Sequence, residues 1–241
     1  MKKKAIFNWS GGKDSALALY RMQSNKEIEI KYLITTISQS NSRISMHGVR
    51  NELLRAQAER LGMELREIIL PDTASLEDYN AVMDESFRRF REEEIEYSIF
   101  GDINLEDLRQ YREERLALAG VKAMFPLWQE PTDKLVREFI GLGFKTVVAC
   151  VNEKYLDKSF AGRVIDEQFL KDLPANVDPC GENGEFHSFV FDGPIFSKPV
   201  PYENGELVFK EYKPELKDDS DTTYNGVHDT RFWYSDIILK G

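Results

Sequence analysis

From its first residues the chain alternates short apolar runs with stretches whose apolar positions recur every three or four residues. Ala5 to Trp9 is a compact strand candidate, and Asp14 to Met22 follows with Ala16, Leu17 and Leu19 at helical spacing. Lys31 to Ile37, rich in Ile, Thr and Tyr, predicts a second strand. Val49, Leu53, Leu54, Ala58 and Leu61 fall on one face of a helix over Val49 to Leu61. Leu65 to Leu70 is a third strand closed by Pro71, and Tyr79 to Glu93 a helix turning Val82, Met83, Phe87 and Phe90 inward. Tyr97 to Phe100, Glu106 to Leu118 and Val121 to Phe125 continue as strand, helix and strand. Strict alternation with helix-length connections predicts a parallel sheet with helices on both faces.

After Trp128 the pattern changes. Thr132 is placed to cap a helix carrying Leu135, Val136, Phe139 and Ile140, which Gly143 ends. Lys145 to Val151 reads as a buried strand and Ala161 to Leu170 as a helix. From Asp178 onward Gly, Asn and Pro are frequent and hairpins are expected. Asn204-Gly205, between Val200 to Tyr202 and Glu206 to Glu211, carries a type I′ turn signal. Lys217 to Tyr224 reads as a loop and Phe232 to Leu239 as a last, aromatic-rich strand. The expected organisation is a nucleotide-binding domain over residues 1–130 and a smaller α+β domain over 131–241.

Composition narrows this. At 241 residues, with 41% hydrophobic and 31% charged positions, the chain is globular rather than disordered. No run approaches the roughly 18 apolar residues a membrane span needs. Met1 to Lys4 is basic, but only Ala5 to Phe7 separates it from a polar Gly loop, so no export segment is expected. Cys150 and Cys180 alone cannot build a disulfide framework or a four-ligand zinc site, and the chain reads as cytoplasmic. The formal charge of −10 disfavours extended nucleic-acid binding.

The strongest chemical signal is Ser10-Gly11-Gly12-Lys13-Asp14-Ser15, between a strand and a helix at the sheet's carboxyl edge. Two glycines let the backbone approach an anion, the helix adds free amides and the positive end of its dipole, and Lys13 adds charge. The spacing fits neither the common P-loop nor the Gly-x-Gly-x-x-Gly fingerprint. It resembles the signature of the ATP pyrophosphatases, whose loop binds the pyrophosphate part of ATP.

Further strings occur in order: His47-Gly48, Gly101-Asp102-Ile103, Leu105-Glu106-Asp107, Pro126-Leu127-Trp128 and Asp178-Pro179-Cys180-Gly181-Glu182-Asn183-Gly184-Glu185-Phe186-His187. Together they resemble the diphthine–ammonia ligase family of N-type ATP pyrophosphatases, over nearly the whole chain to about Pro199. Ser188 stands where the family pattern has Thr, and Lys217 to Gly241 carries no matching motif.

The resemblance implies an adenine-nucleotide α-hydrolase fold (Rossmann-like) with a smaller C-terminal domain forming the acceptor pocket. It implies ATP bound by Ser10, Gly11, Gly12, Lys13, Asp14, Ser15, His47, Gly48 and Gly101, with Mg2+ on Asp14 and Asp102. It also implies an AMP-forming ligase that adenylates a carboxylate, diphthine on a translation elongation factor, and then admits ammonium. Lys13, Asp102, Glu182, Glu185 and His187 are the candidate catalytic residues. Plainer readings stand beside these: Asp102 as a helix cap, His47 as a helix-entry histidine, and the Glu182 to His187 stretch as an exposed acidic hairpin. Glu185 and His187 would share a face if a strand begins at Glu185. Arg163 is a candidate for the acceptor carboxylate. Arg112, Glu113 and Glu114 read as a solvated face, and Cys150 as core. Transfer of sulfur to tRNA through the two cysteines and an ATP sensor without turnover are the rival functions.

Overall fold

A computed structural model describes residues 2–39, 48–70, 76–212 and 230–240. Its first half is a five-stranded parallel sheet in the order β3-β2-β1-β4-β5. The strands are β1 (Lys3–Asn8), β2 (Ile28–Ser38), β3 (Leu65–Leu70), β4 (Tyr97–Ile99) and β5 (Lys122–Met124). Helices α1 (Lys13–Gln23), α2 (Asn51–Leu61), α3 (Leu76–Glu92) and α4 (Glu106–Leu118) connect them.

Period-two alternation sorts each central strand between two cores. Ala5 and Phe7 of β1 and Leu33 of β2 pack with Leu17, Leu19, Leu53 and Leu54 of α1 and α2. Ile6, Tyr32 and Ile34, one residue out of phase, pack with Met83, Phe87 and Phe90 of α3 and Leu116 of α4. The sheet therefore carries helices on both faces, as its pattern predicts.

The second half builds a four-stranded antiparallel sheet in the order β7-β6-β9-β8. It comprises β6 (Lys145–Asn152), β7 (Phe186–Asp192), β8 (Tyr202–Tyr212) and β9 (Thr230–Leu239), with helices α5 (Thr132–Gly141) and α6 (Glu167–Asp172). Edge strand β7 faces the first half: its Val190 amide donates to the Gly11 carbonyl at 2.9 Å. The core continues across this contact, joining Phe7 and Leu54 to Val147, Phe189 and Val190.

Three local expectations change. The helix expected over Ala161 to Leu170 shrinks to α6, capped by Asp166. Its first part instead runs along β6, with Val148 accepting the Gly162 amide and donating to the Arg163 carbonyl, both at 2.8 Å. Asn204-Gly205 does not turn the chain; β8 passes straight through with a bulge there, because the Asn204 amide is engaged by the Gly162 carbonyl at 2.9 Å. Thr132 caps nothing, since its hydroxyl donates to Asp178 at 2.6 Å. Lys217 to Tyr224 lies outside the described residues.

Candidate active site

Strand β1 delivers the Ser10 to Ser15 loop to the carboxyl edge of the parallel sheet. Gly11 takes φ +76°, which glycine adopts without steric cost, and a Cβ there would lie 2.7 Å from Oε1 of Gln57. Gly12 gives α1 no side-chain cap, and the Lys13 amide donates across the halves to the Ser188 hydroxyl at 3.2 Å. The loop hydroxyls close on themselves: Ser10 donates to Ser15 at 3.0 Å, and Ser15 to the Gly12 carbonyl at 2.9 Å. Strand β4 leads into the same helix start. A Cβ on Gly101 would fall 2.8 Å from the Ser15 nitrogen, so only glycine fits this approach.

Lys13 is 3% exposed. Its ammonium donates to both oxygens of Asp14, at 2.9 and 2.7 Å, and to the Cys180 carbonyl, and lies 5.8 Å from the Phe186 ring centroid. Burial works against its charge, but Asp14, Cys180 and Glu182 outweigh that and hold its pKa above the usual lysine value. Asp102, just past β4, pairs with Arg112, whose guanidinium lies 4.3 Å from the Phe100 ring centroid. Burial raises the Asp102 carboxyl against the pull of Arg112, with Asp14 pushing the same way as burial. Burial also raises Asp14, against Lys13.

The Asp178 to His187 stretch forms the wall over Lys13. Asp178 accepts the Cys180 amide at 2.8 Å and the Thr132 hydroxyl. Glu185, fully buried, accepts the amides of Asp178 and Asn183, both at 2.9 Å, and the Asn183 side chain at 3.0 Å. Its carboxylate is thus occupied in bracing the turn. Glu182 differs: among the described residues its carboxylate takes no hydrogen bond. Burial, followed by Asp14, Asp178 and Asp102, pushes it up to about 7 against the opposing pull of Lys13.

The expected convergence is therefore partial. Lys13, Asp14, Asp102 and Glu182 interact within one electrostatic cluster. Strand β7 begins at Phe186, and its Phe186 and Ser188 side chains meet Lys13, so alternation turns His187 to the opposite face of the strand. There His187 stands in register with Cys150, itself in register with Tyr234. Gly48 sits against that row, a Cβ on it falling 2.5 Å from the Tyr234 ring. His47 lies outside the described residues. Arg163 pairs with Asp172 at 2.5 Å, and Arg112 serves Asp102 rather than a solvated face. Both cysteines are buried, Cys150 pushed up to about 12 by burial and Cys180 also raised by burial, whereas sulfur chemistry needs an accessible thiolate.

One residue had gone unmarked. Gln57, fully buried on α2, accepts from the Trp9 indole at 2.8 Å and donates to the carbonyls of Gly11 at 3.0 Å and Val190 at 2.6 Å. Its signal was a polar residue on the apolar stripe beside Leu53, Leu54 and Ala58.

Among the described residues no group of three or more His, Cys, Asp or Glu could hold a metal ion, and no helix is long and apolar enough to cross a membrane. Magnesium asks less, often one or two carboxylates with water and substrate phosphates completing its shell. Asp14 and Asp102 suit it as hard oxygen donors. Burial first, and then the neighbouring acidic groups, raise the carboxyls of Asp14, Asp102 and Glu182, so a divalent cation would relieve the cluster.

Fold and site together define a Rossmann-like α/β protein with an antiparallel second sheet closing over a glycine-rich loop at the parallel sheet's carboxyl edge. Comparison with known families is then specific. Residues 1–123 match the diphthamide synthase N-terminal domain and residues 131–215 the diphthamide synthase C-terminal domain, and the chain belongs to this family. Among curated proteins it resembles the diphthine–ammonia ligase of Schizosaccharomyces pombe, 29% identical over 111 residues (41% of this chain, 18% of that one). The human and mouse diphthine–ammonia ligases are 30% and 31% identical over 122 residues (48% of this chain, 45% of each). The matches thus span less than half the length of these relatives. A U34-tRNA thiolase from Methanococcus maripaludis, solved with its [4Fe-4S] cluster, is 24% identical with a TM-score of 0.37, covering 58% of this chain and 57% of that one.

Proposed function

We propose that this chain is an ATP-dependent, AMP-forming ligase that adenylates a substrate carboxylate and then passes the acyl group to ammonia. The observation that carries the reading is the junction at Lys13. The Gly-Gly-Lys loop of the first half meets the second half at that one residue, its side chain donating to the Cys180 carbonyl and its amide to the Ser188 hydroxyl. Nucleotide chemistry and acceptor chemistry would thus share a wall.

In this reading the loop amides, the start of α1 and Lys13 bind the leaving pyrophosphate, and the acceptor carboxylate attacks the α-phosphorus. Asp14 and Asp102 would hold Mg2+, which supplies charge neutralisation to the phosphates. Arg112 on Phe100 orients Asp102. Glu182, pushed up to about 7, is poised to take a proton from ammonium so that ammonia can attack the acyl-adenylate and displace AMP. Glu185 positions Glu182 by fixing the turn, while His187, on the other face of β7, takes no part in this step. The acceptor, by the relatives' name, is diphthine, which the family resemblance sets on elongation factor 2, and the enzyme works in the cytoplasm.

The test is incubation of the chain with ATP, ammonium and candidate carboxylate acceptors. AMP and pyrophosphate should form in step with an amide, and Lys13→Ala should lose ATP–pyrophosphate exchange by about two to three orders of magnitude while still folding. ADP with orthophosphate as products, or exchange untouched by Lys13→Ala, would overturn the reading.

A further inference from the structure

Strand β8 forms one edge of the antiparallel sheet, pairing with β9 on one side and with no described strand on the other. A free strand edge presents unpaired N–H and C=O groups to any incoming strand, and proteins usually blunt it with charge, brevity or bulges. Here β8 runs 11 residues, and Leu207, Val208 and Phe209 at its middle are 46%, 40% and 42% exposed. Neighbouring strand residues point to opposite faces, so three in a row make both faces of this edge apolar. Phe209 extends the apolar surface to Trp233, with ring centroids 5.0 Å apart. The bulge between Asn204 and Leu207 confines the regular stretch to the part that carries these residues.

The charges flanking this stretch identify its partner. Glu206 precedes the apolar triplet and Lys210 follows it. Read backwards, Glu-Leu-Val-Phe-Lys presents its base where the forward string presents its acid. We propose that β8 pairs antiparallel with β8 of a second copy of this chain, about a two-fold axis at Val208. In that register Leu207 of each copy faces Phe209 of the other, and Glu206, where the bulge meets the regular stretch, lies at the end that meets Lys210 of the other copy. A parallel register would set Glu206 against Glu206. The two antiparallel sheets then become one continuous sheet. Because β8 lies at the opposite edge from β7, the pairing leaves the Lys13 cluster open and stands independently of the ligase reading.

Sedimentation equilibrium of the full chain, from low to high micromolar concentration, tests it. The chain should be a reversible dimer. Val208→Lys, which opposes two ammonium groups across the axis, should abolish dimerisation. Glu206→Lys and Lys210→Glu should each weaken it about tenfold, since like charges directly opposite repel, and the double reversal should restore it. Should Val208→Lys not fold by circular dichroism, the three charge variants decide alone. A monomer throughout, a dimer indifferent to these changes, or a double reversal without recovery overturns the proposal.

Discussion

Glu182 shows how much one side chain's surroundings decide. Burial, reinforced by acidic neighbours and partly offset by Lys13, pushes its carboxyl from 4.5 to about 7. The folded state therefore holds this proton more tightly than the unfolded chain, so stability from Glu182 is full below pH 4.5 and is lost as pH rises through 7. Glu182→Gln removes that loss. In metal-free buffer the variant should match wild type near pH 4.5 and exceed it by about 2 kcal/mol at pH 8, read by denaturant unfolding. The same variant should keep ATP–pyrophosphate exchange and lose amide formation. A residue that destabilises the fold while serving the chemistry gives this opposed pair of effects; equal stability at both pH values would mean that neither burial nor the surrounding acids bear on it.

At the scale of elements, hydrophobic period was enough to read most of the fold. The Leu65–Leu70 strand and the Glu106–Leu118 helix fall where their patterns place them, and the two-faced sheet follows from alternation in β1 and β2. The misreadings share a cause: a locally favoured use of a residue lost to a long-range partner. Thr132 left its cap for Asp178, and Asn204 left its turn for Gly162. None of these partners is visible from neighbours in the chain. The loop and the acidic stretch were legible as separate motifs, but their meeting at Lys13 depends on β7 docking beside α1. Gln57 holds that docking. Gln57→Leu leaves the Trp9 indole and the Val190 carbonyl without their buried partner and should cost about 2–4 kcal/mol in urea unfolding. Exchange activity should fall with it, because the loop loses a clamp on Gly11. A loss under about 1 kcal/mol would mean the two sheets hold together without this amide.

The whole molecule is where the expected boundary near residue 130 acquires its physical meaning. Of the two cores among the described residues, the one beneath α3 and α4 belongs to the first half alone. The larger one runs from Ala5 and Leu53 through to Phe189 and Ile237, so cutting at 130 would expose both sides of it. Ion pairs tie the same seam. Arg21 of α1 reaches Glu130 at 3.0 Å and Glu138 of α5 at 2.6 Å, and Arg50 reaches Asp236 of β9 at 3.1 and 2.7 Å. Such partly exposed pairs contribute modestly, about 1 kcal/mol or less each; the shared apolar surface dominates. We therefore propose two units in sequence that fold as one. Calorimetry should give a single transition with equal calorimetric and van't Hoff enthalpies, and residues 1–130 alone should show no native near-ultraviolet circular dichroism. Two resolved transitions would mean that each half is stable without the other, and that the wall over Lys13 can lift away while the parallel sheet stays folded.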